Sequence, residues 1–268
     1  MQPTKPIVLS IAGFDPSSGA GVTADVKTCA AHGCFATTCI TAITVQTTAG
    51  VYRMEPMDPG LVSDTLYELA ADMPPAAVRI GMLGSASVAE VVAEFLETTR
   101  PPNVVLDPIV RSSSGAELLD GRGIEVLVNR ILPLARVVTP NVDEAEILTG
   151  MPAATDEQRL RAGERLLALG AQAAVITGGH LESATDLLVW LDERGMLRHE
   201  ALGAGAKLVS TSTHGTGCAF ATSVACSLAL SRGLAEGASM AKAFVTEAIR
   251  HASPMGKGTG PIEHLWKR

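Results

Sequence analysis

The chain has few aromatic residues: Phe, Tyr and Trp make up 3% of its 268 positions. That scarcity removes the stacking surface on which single-stranded nucleic acid is bound, and it leaves the core to be built from Ala, Val, Leu and Ile. Positive charge is scarce as well. The formal net charge is −7 and no run of Lys or Arg occurs, so the basic footprint of a duplex-binding protein is missing. No apolar run approaches the roughly 20 residues that span a bilayer, and Met1-Gln2-Pro3-Thr4-Lys5-Pro6 lacks the hydrophobic segment of a secretory leader. The expectation is a cytosolic protein with neither a membrane nor a nucleic-acid partner. The five cysteines include Cys29, Cys34 and Cys39, whose spacing matches no common zinc pattern; these three are expected to be buried thiols.

What is present is core material: 47% of residues are apolar against 18% charged, which excludes a disordered chain. Short β-branched runs alternate with helical patterns along nearly the whole length. Strands are predicted over 7–12, 37–45, 78–81, 103–107, 137–139 and 174–177, with a short edge strand over 51–57. Helices are predicted over 21–32, 61–71, 87–99, 124–132, near Glu144, and over 157–169, 218–232 and 235–251. Residues 186–191 and 196–201 read as a hairpin. This alternation predicts an α/β fold with a mostly parallel sheet covered on both faces. Ligands of such sheets bind beyond the carboxyl ends of the strands. The polar, glycine-rich loops after Ala12, Val45, Ile80, Asp107, Thr139 and Thr177 lie at those ends. With no Pro/Ser/Gly linker and no internal repeat, residues 1–268 read as one domain.

Three loops carry candidate chemistry. Thr213-His214-Gly215-Thr216-Gly217-Cys218 leads into an apolar helix, so Gly215 and Gly217 let backbone N–H groups converge on an anion at a helix start. In that field the Cys218 thiol is expected to be acidified and able to act as a base; the alternative is a tight turn with a packing cysteine. His214 reads either as a base beside it or as a structural hydrogen-bond partner. The first loop, Gly13-Phe14-Asp15-Pro16-Ser17-Ser18-Gly19-Ala20-Gly21, is neither a P-loop nor a dinucleotide fingerprint. It lets backbone approach a small flat ligand or is an ordinary turn. Asn141 and Glu144, three apart at a helix start, suit magnesium together with substrate phosphates, or else a helix cap. Asp107-Pro108 and Thr177-Gly178-Gly179-His180 are weaker signals of the same kind.

Taken in order, these segments resemble the ribokinase-like family and, within it, the hydroxymethylpyrimidine and phosphomethylpyrimidine kinases. The resemblance runs almost end to end, through Ile11 to Gly21, Asp25-Val26-Lys27-Thr28, Ile40 to Thr47, Ile80-Gly81-Met82-Leu83, Leu106-Asp107-Pro108, Thr139-Pro140-Asn141, Gly178-Gly179-His180, His214 to Cys218 and Gly256 to Pro261. It implies a three-layer α/β/α sandwich that uses ATP and Mg2+ on a small-molecule substrate, as a homodimer with 51–57 as a contact. It implies that Gln46 reads an aminopyrimidine edge and that Gly13, Ala20 and Asp25 border the hydroxymethyl end. Met82 and Val110 would sandwich the ring. Asn141 and Glu144 would organise magnesium and phosphate, with Asp107 as a second metal-side carboxylate. Thr177 and Gly179 would contact the nucleotide, Gly215, Thr216 and Gly217 would form the anion hole, and Cys218 would be the base.

Three positions depart from the family's common pattern. Thr177 and Ser113 stand where lysines are usual, and Thr47 stands where asparagine is common. Two absent positive charges weaken the expected hold on ATP or on a phosphorylated acceptor, and Arg111 lies close enough in sequence to compensate. Two rival readings are a pyridoxal kinase of the same branch, which Gln46 disfavours, and a catalytically silent pyrimidine-binding protein, which the Asn141, Glu144, Gly215, Gly217 and Cys218 set disfavours.

Overall fold

A computed structural model describes residues 5–112, 115–179, 185–203 and 208–266. Its centre is a nine-stranded sheet. In chain order the strands are β1 (Ile7–Phe14), β2 (Phe35–Thr47), β3 (Gly50–Pro56), β4 (Ala77–Ile80), β5 (Val104–Leu106), β6 (Val137–Val138), β7 (Ala173–Ile176), β8 (Asp186–Leu191) and β9 (Leu197–Leu202), and their spatial order is β3-β2-β1-β4-β5-β6-β7-β8-β9. From β2 through β7 neighbours are parallel; β3 at one edge and the β8–β9 hairpin at the other are antiparallel. The mostly parallel sheet and the edge strand are therefore as the sequence predicted.

Alternation along the strands divides the core. Leu9, Ile11, Val78, Ile80 and Leu106 face one apolar cluster. This cluster is completed by α2 (Pro59–Asp72), α3 (Ala86–Thr99), α5 (Val142–Thr149) and α6 (Asp156–Ala168). Val8, Ala77, Val105 and Val137 face the other, built with α1 (Gly21–Ala31), α7 (Thr216–Ala229) and α8 (Leu234–Arg250). Side chains of successive strand residues point to opposite faces, so the run Ile7 to Ala12 serves both clusters and needs no polar face. Among the described residues no helix is long and apolar enough to cross a membrane.

Element boundaries follow local chemistry. Helix α2 starts at Pro59 because Asp58 accepts the Leu61 N–H at 2.9 Å and proline suits the first turn. Over 121–134 the predicted single helix is α4 (Gly121–Val126), a π-type turn (Leu127–Ile131) and a 3-10 turn containing Pro133. Helix α7 stops before Gly233. Ser231 adopts a left-handed φ of 60°, and the Arg232 N–H returns to the Ser227 carbonyl at 3.0 Å; Gly233 is instead the N-cap residue of α8.

Candidate active site

The order of strands reverses between β1 and β4, where β2 and β3 lie to one side and β5 onward to the other. A cleft of about 920 Å3 opens there beyond the strand ends, at the switch point where α/β sheets take ligands. It collects Gly13, Ala20, Gln46, Met82, Asp107, Asn141, Glu144, Thr177, Gly179 and Gly215 through Cys218. Segments far apart in the chain thus share one space.

Gly13 and Met82 meet at its floor: a Cβ on Gly13 would lie 2.1 Å from the Met82 Cε. Met82, Leu118 and Ile109 belong to one small apolar cluster, and all three line the cleft. Val110, expected to sandwich the ring, is 2% exposed and not in the lining; its backbone carbonyl accepts the Leu118 N–H at 2.9 Å, and Ile109 and Leu118 face the cleft instead.

Asp25 is also displaced from its expected place. It is fully buried beneath the cleft, where it accepts hydrogen bonds from Ser10 Oγ, from Thr222 Oγ1 at 2.7 Å and from the Arg79 guanidinium at 3.1 Å. Arg79 also pairs with Asp107. Burial opposes the Arg79 charge, but Asp25 and Asp107 outweigh it and keep the guanidinium protonated. Gly81 makes room for this group, since a Cβ there would fall 2.1 Å from its Nη1.

The glycine loop forms as expected, at the start of α7. Gly215 has a φ of 84°, a Cβ on it would lie 1.8 Å from the Gly19 carbonyl oxygen, and α7 has no side-chain cap. The first loop and the glycine loop are therefore packed backbone to backbone. Asp15 knits them together by accepting the Ser17 N–H at 2.8 Å, the Ala20 N–H at 2.9 Å and His214 Nε2 at 2.8 Å. His214 is thus a structural partner. The C-terminal segment Gly256 to Pro261 closes the other flank: the Gly260 carbonyl accepts the His214 N–H at 2.9 Å, and Thr48 Oγ1 accepts the Lys257 and Gly258 N–H groups.

Cys218 contradicts the expectation of an acidified thiol. Burial pushes it up to about 12; Arg79 and a hydrogen bond from the Gly21 N–H work the other way, while Asp107 and Asp25 add to the rise. The Asp107 carboxylate is close enough for its charge to disfavour a thiolate. The thiol therefore rests protonated.

At α5, Asn141 and Glu144 form a reciprocal capping box, each side chain taking the other's backbone N–H at 2.9 Å. The cap does not exhaust Glu144. Burial raises its carboxyl to about 8, helped by the nearby charge of Asp107, and burial likewise raises Asp107 against the pull of Arg79. Thr177 adjoins this cap, with its N–H on the Pro140 carbonyl at 2.9 Å.

Sequence reasoning missed Lys242 and Asp186, which line the same cleft and pair at 3.0 Å. A lysine inside a helix and an acid opening a strand carry no local motif. Arg111 does line the cleft. His180 and Ser113 lie outside the described residues.

Comparison with known proteins agrees with this geometry. A protein-family model described as phosphomethylpyrimidine kinase matches residues 15–263. The Aquifex aeolicus hydroxymethylpyrimidine/phosphomethylpyrimidine kinase is 36% identical over 94% of this chain and 97% of its own. The thiamine biosynthesis bifunctional protein ThiED of Geobacter sulfurreducens is 38% identical over 96% of this chain, which spans 52% of that longer protein. Among solved structures, phosphomethylpyrimidine kinase from Clostridium difficile superposes with a TM-score of 0.79 at 34% identity, covering 91% of this chain and 100% of that one. An ADP complex of Bacillus subtilis pyridoxal kinase gives 0.87 at 30%, covering 97% and 98%.

Proposed function

Since the chain belongs to the phosphomethylpyrimidine kinase family, we propose that it moves a phosphoryl group from ATP to the hydroxymethyl oxygen of 4-amino-5-hydroxymethyl-2-methylpyrimidine. It then phosphorylates the resulting monophosphate to the diphosphate, in thiamine diphosphate biosynthesis. The observation that carries this reading is one cleft holding a primary amide (Gln46), an apolar wall (Met82, Ile109, Leu118) and an uncapped helix start (α7). An amide can meet a ring nitrogen and an exocyclic amine together, and the helix start can receive phosphate.

Phosphoryl transfer demands alignment and a place for spread negative charge more than it demands a base. The first-turn amides of Gly217 and Cys218 supply that place. Asp107 and Glu144 are buried oxygen donors that both line the cleft, and the charge of Asp107 adds to the rise of Glu144. That donor set fits a magnesium ion. Among the described residues no three acids, histidines or cysteines could hold a metal together, which suits a cation that keeps waters and leans on nucleotide phosphates. Magnesium, when bound, would offset phosphate charge at this end of the cleft.

Cys218 is protonated at rest, so in the first transfer its sulfur takes the hydroxymethyl proton only once its own hydrogen has left to solvent in the cleft. In the second transfer the acceptor is already an anion and needs no base. The remaining parts of the reading are a cytosolic setting, consistent with five free thiols, one domain over 1–268, and a homodimer. A second copy would cover the β2–β3 ribbon, where Ile43, Val45 and Tyr52 are 48%, 56% and 67% exposed; sedimentation of a monomer at micromolar concentration would remove that part.

A pyridoxal kinase activity is the second reading, favoured by the superposition on the Bacillus subtilis enzyme. Mass analysis of products decides between them. Incubation with Mg-ATP and hydroxymethylpyrimidine is expected to give the monophosphate and then the diphosphate. Phosphorylation of pyridoxal alone would replace the first reading with the second.

A further inference from the structure

The Gln46 amide touches two neighbours whose hydrogens can be counted. Its nitrogen end lies 3.2 Å from His214 Nε2 and its oxygen end 3.2 Å from Thr44 Oγ1. The same His214 nitrogen lies 2.8 Å from Asp15 Oδ2. Asp15 can only accept there. Burial pushes its carboxyl up, but hydrogen bonds from His214 and Ser17 outweigh this and hold it below the usual carboxylate range. Nε2 therefore carries a hydrogen, and a ring nitrogen that bears one has no lone pair left to receive an amide N–H. Thr44 poses the converse problem. Its single hydroxyl hydrogen is sought by the Phe14 carbonyl at 3.0 Å and by the Gln46 oxygen at 3.2 Å. Exchanging the two ends of the amide resolves both conflicts. The oxygen then shares the His214 N–H, the amide nitrogen donates to Thr44 Oγ1, and the Thr44 hydrogen goes to Phe14.

We propose that the Asp15–His214 pair sets the substrate preference of the cleft, by holding Gln46 with its carbonyl toward the glycine loop and its amino group toward Thr44. The proposal rests on the kinase reading above. It selects a ring that bears an amine on the carbon next to the hydroxymethyl-bearing carbon and a ring nitrogen beyond the amine. The aminopyrimidine presents donor and acceptor in that order. Pyridoxal presents an aldehyde oxygen beside its hydroxymethyl carbon, so an acceptor meets the Gln46 carbonyl. His214 touches no reacting atom here and is a positioning residue. The residue is clamped, since a Cβ on Gly19 would lie 2.2 Å from its ring Cδ2 and its backbone N–H is bound to the Gly260 carbonyl.

The test compares kcat/KM for hydroxymethylpyrimidine and for pyridoxal. If the unmodified protein fails to phosphorylate hydroxymethylpyrimidine, the kinase reading itself falls and this proposal with it. If it succeeds, His214→Leu should lower the ratio of the two constants by about tenfold, mainly through the KM of hydroxymethylpyrimidine. His214→Gln, which keeps an N–H toward Asp15, should restore most of that ratio. A His214→Leu protein that loses both activities in proportion has lost only structure, and an unchanged ratio overturns the proposal. Should His214→Leu fail to fold, nitrogen-15 NMR of the labelled unmodified protein decides: a hydrogen on Nε2 of His214 is required, and a bare Nε2 refutes it.

Discussion

Two helices, α5 and α7, point their N-termini into the same cleft, and they are finished in opposite ways. Helix α5 satisfies its first turn internally, through the Asn141–Glu144 box, and carries Asp143 and Glu144 there. Helix α7 has no side-chain cap and no acid in its first turn, and it begins from a left-handed Gly215. Every helix start leaves N–H groups unpaired. At α5 the box pairs the Glu144 N–H with the Asn141 amide oxygen and the Asn141 N–H with Glu144 Oε2, which leaves Glu144 Oε1 as an oxygen donor lining the cleft. At α7 the N–H groups remain available to an outside anion. One scaffold thus sets a cation-seeking end beside a phosphate-seeking end, as transfer of a phosphoryl group requires.

That contrast can be broken from either side. The largest effect is expected at the support beneath α7, where Arg79→Met leaves Asp25 and Asp107 buried without their partner. Urea unfolding should show a loss of about 3–5 kcal/mol, and a loss under ~1 kcal/mol would mean that the guanidinium does not hold this region together. Gly215→Ala should come next. A methyl group 1.8 Å from the Gly19 oxygen cannot be accommodated without moving the loop, so kcat should fall about 300-fold, the scale of losing an anion-hole donor, with the melting temperature recorded alongside. Cys218→Ala should lower the first transfer about 100-fold and leave the second unchanged; equal losses in both steps would show that the thiol serves packing only.

The α5 side should respond more gently. Glu144→Gln keeps the capping bond and removes the charge, so half-maximal activity should need about tenfold more Mg2+, the scale of one charged contact. The last effect is on stability against pH. Glu144 is raised from 4.5 to about 8, so the folded state favours its protonated form. The stabilisation is complete below about pH 4.5 and is lost as pH rises through about 8. Melting temperatures without nucleotide should fall over that window in the unmodified protein and fall less in Glu144→Gln.

Most of the fold was legible because period and punctuation are local. The strands at 7–12 and 78–81, the edge strand and the hairpin around Gly195 all form close to their predicted places. The loops were legible for the same reason, since Gly215 and Asn141-x-x-Glu144 announce helix starts. What could not be read was the third dimension at those starts. The field of α7 was expected to acidify Cys218, yet burial beside Asp107 and Asp25 overrides it. The family resemblance placed Asp25 at the border of the cleft, but the turn of α1 directs it down onto Ser10 and Arg79. Val110 and Ile109 are adjacent, and only the path of the backbone shows which one faces the ligand. Lys242 had no motif at all.

The most direct test of the two-ended cleft is a crystal structure with Mg2+, a non-hydrolysable ATP analogue and hydroxymethylpyrimidine bound together. The terminal phosphate should rest on the amides of Gly217 and Cys218, with the magnesium ion on the Glu144 side and the pyrimidine against Gln46 and Met82. A terminal phosphate seated at the start of α5, or a magnesium ion held against the glycine loop of α7, would contradict the account.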